Sequence, residues 1–255
     1  MYRHQINNST ILILSILICL AITLGSIGSF AQSLSVNEYI RGDIDAKQFI
    51  EESCSNDHHI DCASMLNNHR YVDLGLSVKW ASYNIGATSP EDYGGYYAWG
   101  ESVTKSMYFW STYKYGKNPG NLTKYNNHYG LGNVDDREIL EPSDDAAHIN
   151  WGYPWRTPTI EEWKELYEKC TWKFITSNGI NGYTVMGPNG NSIFLPMAGY
   201  AYKDELSKTG TKGLYASSSI ATDQCQLQKI GFDSQYIDFW SGHRCYGYSI
   251  RPVCP

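Results

Sequence analysis

The chain is 255 residues long with a formal net charge of −6, and no block of basic residues breaks that balance. Nucleic acid and anionic lipid are therefore poor partners, because both select dense Lys/Arg patches. Charged residues are sparse at 18%, while 21 Tyr and 8 Trp supply much of the apolar surface, a composition that suits a loop-rich exported domain.

The first residues read as an address. ILILSILICLAITL at 11–24 is an uncharged apolar run, and GSIGSFAQS follows with Ser29 and Ala31 as the small residues of a cleavage site. A signal peptide over 1–31 is expected. The alternative is an uncleaved anchor, for which the run is shorter than the roughly 20 residues a span requires. Ile18 before Cys19 lacks the small residue of a lipoprotein signal. The expected location is the periplasm, the cell surface or the extracellular medium, with no membrane span after cleavage, since no second long apolar run occurs.

Residues 32–68 read as an N-terminal arm, with SVNEYIRGDIDAKQFIEE as a short helix and CSNDHHIDC as a small loop. Cys54, His58, His59 and Cys62 would suit zinc in a cytosolic protein; in an exported one a local disulfide with two exposed histidines is expected. The main domain covers 69–255. YVDLGLSVKWASYNIG mixes alternation with β-branched residues and predicts one or two strands. SPEDYGGYYAWGE opens on a Ser-Pro turn. From about 102 to 154 the sequence reads as loop, long enough to carry function or wrap a core.

WRTPTIEEWKELYEKCTW at 155–172 is the clearest local signal. Thr159 and Glu162 have capping-box spacing, and Pro158 keeps the chain extended just before the cap. Ile160, Trp163, Leu166, Tyr167 and Cys170 then recur on one helical face, with Glu161, Lys164, Glu165, Glu168 and Lys169 opposite. Further on, Asn189–Gly190 between apolar runs predicts a hairpin, since both residues tolerate positive φ. GLYASSS predicts a short strand. QLQKIGFDS and YGYSIRPVC predict the last two, joined by an aromatic loop, QYIDFWSGHRCYG. The tally of short strands, one or two helices and long loops is α+β.

Beyond Cys19, the cysteines Cys54, Cys62, Cys170, Cys225, Cys245 and Cys254 are even in number, which outside the cytosol allows up to three disulfides. Cys54–Cys62, Cys170–Cys254 and Cys225–Cys245 are the expected pairs; free buried thiols are the alternative.

YVDLGLSVKWASYNIGA, YYAWGE, SDDAAHINWG, WRTPTIEEWKEL, CTW, GPNGNSIFLPMAGY, YASSS and a closing GYSIRPVCP occur in this order. Together they resemble the Fibrobacter succinogenes major paralogous domain, common in exported proteins of Bacteroides-like bacteria, over about 69–255. That family is similar in turn to formylglycine-generating sulfatase-modifying enzymes and to C-type lectins. The resemblance implies a C-type-lectin-like fold: short antiparallel strands, flanking helices and long loops presenting a variable surface. Fold alone does not fix function.

The related enzymes act through a close pair of copper-binding cysteines late in the domain. Cys225 and Cys245 occupy that region without the enzyme's motif, so no catalytic residue is assigned. Calcium is the next possibility, but the E-P-N or Q-P-D and W-N-D signals of sugar-binding lectins are missing. Asp135, Asp136, Glu138, Glu141, Asp144 and Asp145 lack EF-hand spacing and read as a solvated acidic loop. No cofactor is expected. Ser217, Ser218 and Ser219 lack a nucleophile elbow and read as strand or turn.

Two aromatic segments remain. Tyr108, Phe109, Trp110, Tyr113 and Tyr115 crowd one; Tyr236, Phe239, Trp240, Tyr246 and Tyr248 crowd the other. Flat rings with polar edges make platforms for sugars and anchors for proteins, or else fill a strand-poor core. Tyr108, Trp110, Tyr113, Tyr236 and Trp240 are the expected ligand-binding residues. The expected function is an exported, non-enzymatic binding module for a glycan or a surface protein. An enzyme related to the formylglycine-generating group and a purely structural surface component are the alternatives.

Overall fold

A computed structural model describes residues 64–255. The expected signal peptide, the arm helix and the Cys54–Cys62 loop lie outside the described residues. Ser64–Pro255 forms one compact unit. Within it the strands are short and each pairs antiparallel with its neighbours. Two α-helices, α1 (Ala146–Trp151) and α2 (Ile160–Lys169), accompany them, so the class is α+β and strand-rich. No helix among the described residues is long and apolar enough to cross a membrane.

Strands β1 (Met65–Leu66), β2 (His69–Val72) and β3 (Lys79–Ala81) form a sheet with β12 (Val253–Cys254), in the order β1-β2-β3-β12. Met65 pairs with Arg70, so the first strand belongs to this sheet although the sequence places residues 65–68 in the arm. Val253 pairs with Trp80 and brings the C-terminal strand into the sheet of the first described strands. Arg251 locks that closure. It is fully buried and donates to Asn84 Oδ1 at 2.9 Å and to the carbonyls of Ala81, Ser82 and Phe194. Burial pulls its pKa down to about 10, and the neighbouring Tyr215 hydroxyl opposes part of that shift.

Helix α2 starts where the capping box predicts. Thr159 Oγ1 accepts from the Glu162 amide at 3.2 Å, and Glu162 Oε2 accepts from the Thr159 amide at 2.8 Å. Ile160, Trp163 and Leu166 are buried. Tyr167 is 41% exposed, and Cys170 is already the C-cap. The Trp163 ring packs at a tilt 4.6 Å from Trp80 and 5.7 Å from Tyr215, and its indole N–H donates to the Ala216 carbonyl. Truncating so large a buried ring typically costs about 3–5 kcal/mol.

Strands β4 (Thr171–Ser177), β5 (Ile180–Met186) and β6 (Ser192–Pro196) form a meander. Asn189–Gly190 lies in the β5–β6 connection as predicted, with Gly190 at φ 87°. Strands β7 (Tyr200–Tyr202) and β8 (Glu205–Ser207) make a small hairpin. Strands β9 (Gly213–Ile220), β10 (Gln226–Phe232) and β11 (Ile237–His243) form the last sheet, ordered β11-β10-β9. The sequence reads β11 as loop, yet it pairs with β10 from Phe232↔Ile237 to Gln226↔His243. Ile237, Phe239, Trp240 and Gly242 are partly buried between more exposed neighbours, so the strand has no clean apolar alternation to read. The serine run lies inside β9, wholly buried, and Ser217 Oγ donates to the Gln228 carbonyl at 2.6 Å.

Candidate functional site

The acidic segment is solvated only in part: Asp136 and Glu138 are exposed, as expected of a loop, while the rest is engaged by the fold. Asp144 and Asp145 are buried, and each has a structural task. Asp145 caps α1, accepting from the Ala147 amide at 2.9 Å, and it also takes the Thr157 hydroxyl at 2.6 Å and the Thr157 amide at 2.8 Å. Burial raises its pKa, and these donors oppose the rise. Asp144 accepts from Lys114 at 3.0 Å, from the Tyr125 hydroxyl at 2.7 Å and from Lys124. Burial would raise its pKa, but hydrogen bonds from Lys124, Tyr115, Tyr125 and Lys114 reverse that and hold it well below the usual carboxylate range. Asp135 accepts the Tyr125 and Asn126 amides, and Glu141 pairs with Lys124 and Arg137. These oxygens face cations and amides of the chain itself, so they brace the 122–157 region instead of converging on one point.

The described cysteines are all free thiols: Cys170, Cys225, Cys245 and Cys254. Cys170 packs against the core cluster around Trp163, whereas Cys254 belongs to the other cluster, around Trp155; the pair expected from sequence is thus divided between two cores. Cys225 Sγ donates to the Pro119 carbonyl at 3.2 Å. Burial pushes the Cys245 thiol up to about 12 and raises Cys225 as well, so both hold their protons here.

The first aromatic segment is core. Tyr108, Trp110 and Tyr113 are 5%, 9% and 0% exposed, which withdraws them from any surface platform. Their polar atoms are committed inward: the Tyr113 hydroxyl donates to the Trp99 carbonyl and accepts from Arg244 Nε, and Tyr108 donates to the Tyr96 carbonyl. Arg244 organises this region, its guanidinium 4.9 Å from the Trp99 ring and bonded to the carbonyls of Lys124, Tyr125 and Gln224. A long segment without strands still has to exclude water, and here rings and one arginine do that in place of a sheet.

The second aromatic segment contributes to a surface groove of about 280 Å³. It is lined by Leu214 on β9, Gln226 and Lys229 on β10, Ser241, Gly242 and His243 on β11, Tyr200 on β7, and Tyr246 and Tyr248 beyond β11. Tyr200 and Tyr246 lie nearly parallel, 5.9 Å apart at 14°, and Tyr248 continues the stack 6.4 Å from Tyr200. His243 meets Tyr246 at 5.1 Å. Lys229 is only 6% exposed, and its Nζ donates to the Ser241 carbonyl at 2.7 Å. The Trp240 and Tyr248 rings lie 5.7 and 5.9 Å from that nitrogen. Burial, aided by the nearby Lys212, lowers the Lys229 pKa to about 8.

Trp240, expected from sequence as a ligand residue, pairs across the sheet with Lys229 and borders the groove. Tyr236 is 68% exposed at the opposite end of the β10–β11 hairpin, where Phe232 pairs with Ile237, and it does not line the groove. Tyr200, His243 and Lys229 were not selected as ligand residues on sequence; an isolated Lys in the apolar strand QLQKIGF is the one local cue to the site. A larger hollow of about 360 Å³ lies over the polar face of α2, but its charges already pair, Glu161 with Lys164 and Glu165 with Lys169.

No protein-family model, curated protein or solved structure matches the chain.

Proposed function

We propose that this protein is an exported, non-enzymatic binding module whose ligand is a glycan, held in the groove between β7 and the β9–β11 sheet. The observation that carries this reading is the pair of nearly parallel, half-buried rings of Tyr200 and Tyr246 in a groove that polar groups of His243, Ser241 and Lys229 also line. Sugar rings have apolar faces and hydroxyl-bearing edges, so a ring can lie on tyrosine while its edge meets those polar groups. The groove's size fits a short saccharide and not a protein surface, which supports a glycan over a surface protein. A C-type-lectin-like architecture, suggested by the motif order, is compatible with the short antiparallel strands and long loops. Asp135, Glu141, Asp144 and Asp145 bond within the chain, so the reading invokes no calcium. The test is a glycan array probed with purified protein, with and without chelator. Binding that survives chelation and is lost in Tyr246→Ala supports the reading; binding that requires a divalent cation, or no glycan binding at all, refutes it.

A further inference from the structure

The glycan reading deepens at Lys229. We propose that the groove takes an acidic sugar, whose carboxylate is received by Lys229 Nζ while its ring lies on Tyr200 and Tyr246. The inference rests on the glycan reading and adds the chemical class of the ligand.

The lysine is the anomaly that points there. An ammonium has three donors, and Lys229 uses one, on the Ser241 carbonyl. The ion pairs among the described residues engage Lys105, Lys114, Lys124, Arg137, Arg156, Lys164, Lys169 and Lys212, but not Lys229. A cation 94% removed from solvent and without a counter-ion is costly. The faces of Trp240 and Tyr248 offset only part of that cost. No carboxylate lines the groove. The two acids that flank β10 in sequence are already engaged: Asp223 accepts from the Gln226 side chain at 2.7 Å, and Asp233 pairs with Lys212 at 3.8 Å. A cationic hollow thus sits on a chain of net charge −6.

Gly242 supplies a second, steric observation. A Cβ there would run into the Tyr248 hydroxyl and the Lys229 Cε. Lys229 and Tyr248 can pack this closely on β11 only because this position has no side chain, so a Cβ there would displace the ammonium. The groove offers one ammonium and no second lysine or arginine among its lining residues, which suits a single negative charge such as a sugar carboxylate.

The test compares carboxylate sugars, their methyl esters, neutral sugars and sulfated sugars on one array, followed by calorimetry of the strongest acid and its ester. The expected result is an acid that binds roughly tenfold or more tighter than its ester, as a charge-assisted hydrogen bond requires. Lys229→Met erases the difference between acid and ester, Lys229→Arg restores part of it, and Gly242→Ala weakens the acid. Equal binding of acid and ester would overturn this inference while leaving the glycan reading intact. A preference for sulfated over carboxylated sugars would overturn the choice of anion. Binding of no sugar in any class would overturn both readings. Circular dichroism of each variant shows that a loss is not unfolding.

Discussion

Replacing Lys229 with methionine should make the protein more stable at neutral pH. The folded amine sits at about 8 against an ordinary 10.5. That gap corresponds to roughly 3 kcal/mol, at about 1.4 kcal/mol for each pH unit. The folded chain therefore carries that penalty fully below about pH 8. Between about 8 and 10.5 the unfolded chain binds more protons than the folded one, so stability rises with pH, and above that window the penalty is gone. Methionine keeps the length of the stem inside the Trp240–Tyr248 pocket but loses the bond to the Ser241 carbonyl, worth about 1 kcal/mol. The net gain is roughly 2 kcal/mol near pH 7, shrinking toward pH 10. Urea unfolding of both proteins across that range measures it, with m unchanged as the check that only stability moved. A variant less stable at every pH, or a gain that does not vary with pH, would refute the reasoning. A residue that weakens the fold in this way is the kind of local conflict expected at functional sites.

Asp145→Ala removes the α1 cap and both Thr157 bonds at once and should cost roughly 2–4 kcal/mol, read from the urea midpoint. Asp144 works in the opposite sense to Lys229. Its folded pKa is depressed, so its stabilisation is present above about pH 4 and fades as pH falls. Asp144→Asn should therefore lower stability at pH 7 while flattening the acid limb of the wild-type curve. Thr159→Ala should cost about 1 kcal/mol by breaking the capping box of α2. Alkylation of the native protein, located by peptide mass spectrometry, should modify Cys170 before Cys225, Cys245 or Cys254, because those three are 7% exposed or less.

What the sequence made legible was local. The Thr159–Glu162 box, the Ile160–Trp163–Leu166 face and the Asn189–Gly190 turn each depend on residues a few positions apart, and each forms as read. The α+β class follows from adding such pieces. The tertiary assignments were not legible. Tyr108, Trp110 and Tyr113 look like surface rings in a loop, and only residues far along the chain make them core: Lys203 and Gly247 beside Tyr108, His243 beside Trp110 and Arg244 beside Tyr113. Asp144 and Asp145 look solvated until Lys114, Lys124 and Thr157 are brought to them. The groove draws on β7, β9, β10, β11 and the turn beyond, so no spacing announces it. Of the rings singled out on sequence, those late in the chain come closest to it, through Trp240, Tyr246 and Tyr248.

The most direct test of the central claim is the affinity of the strongest array glycan for Tyr246→Ala and Tyr236→Ala, side by side with the parent protein. Both tyrosines reach the surface, but only Tyr246 lines the groove. Loss of roughly tenfold or more with Tyr246→Ala and no change with Tyr236→Ala is the predicted result. Unchanged affinity in Tyr246→Ala, with loss in Tyr236→Ala, would place the ligand at the far end of the β10–β11 hairpin and contradict the site described here.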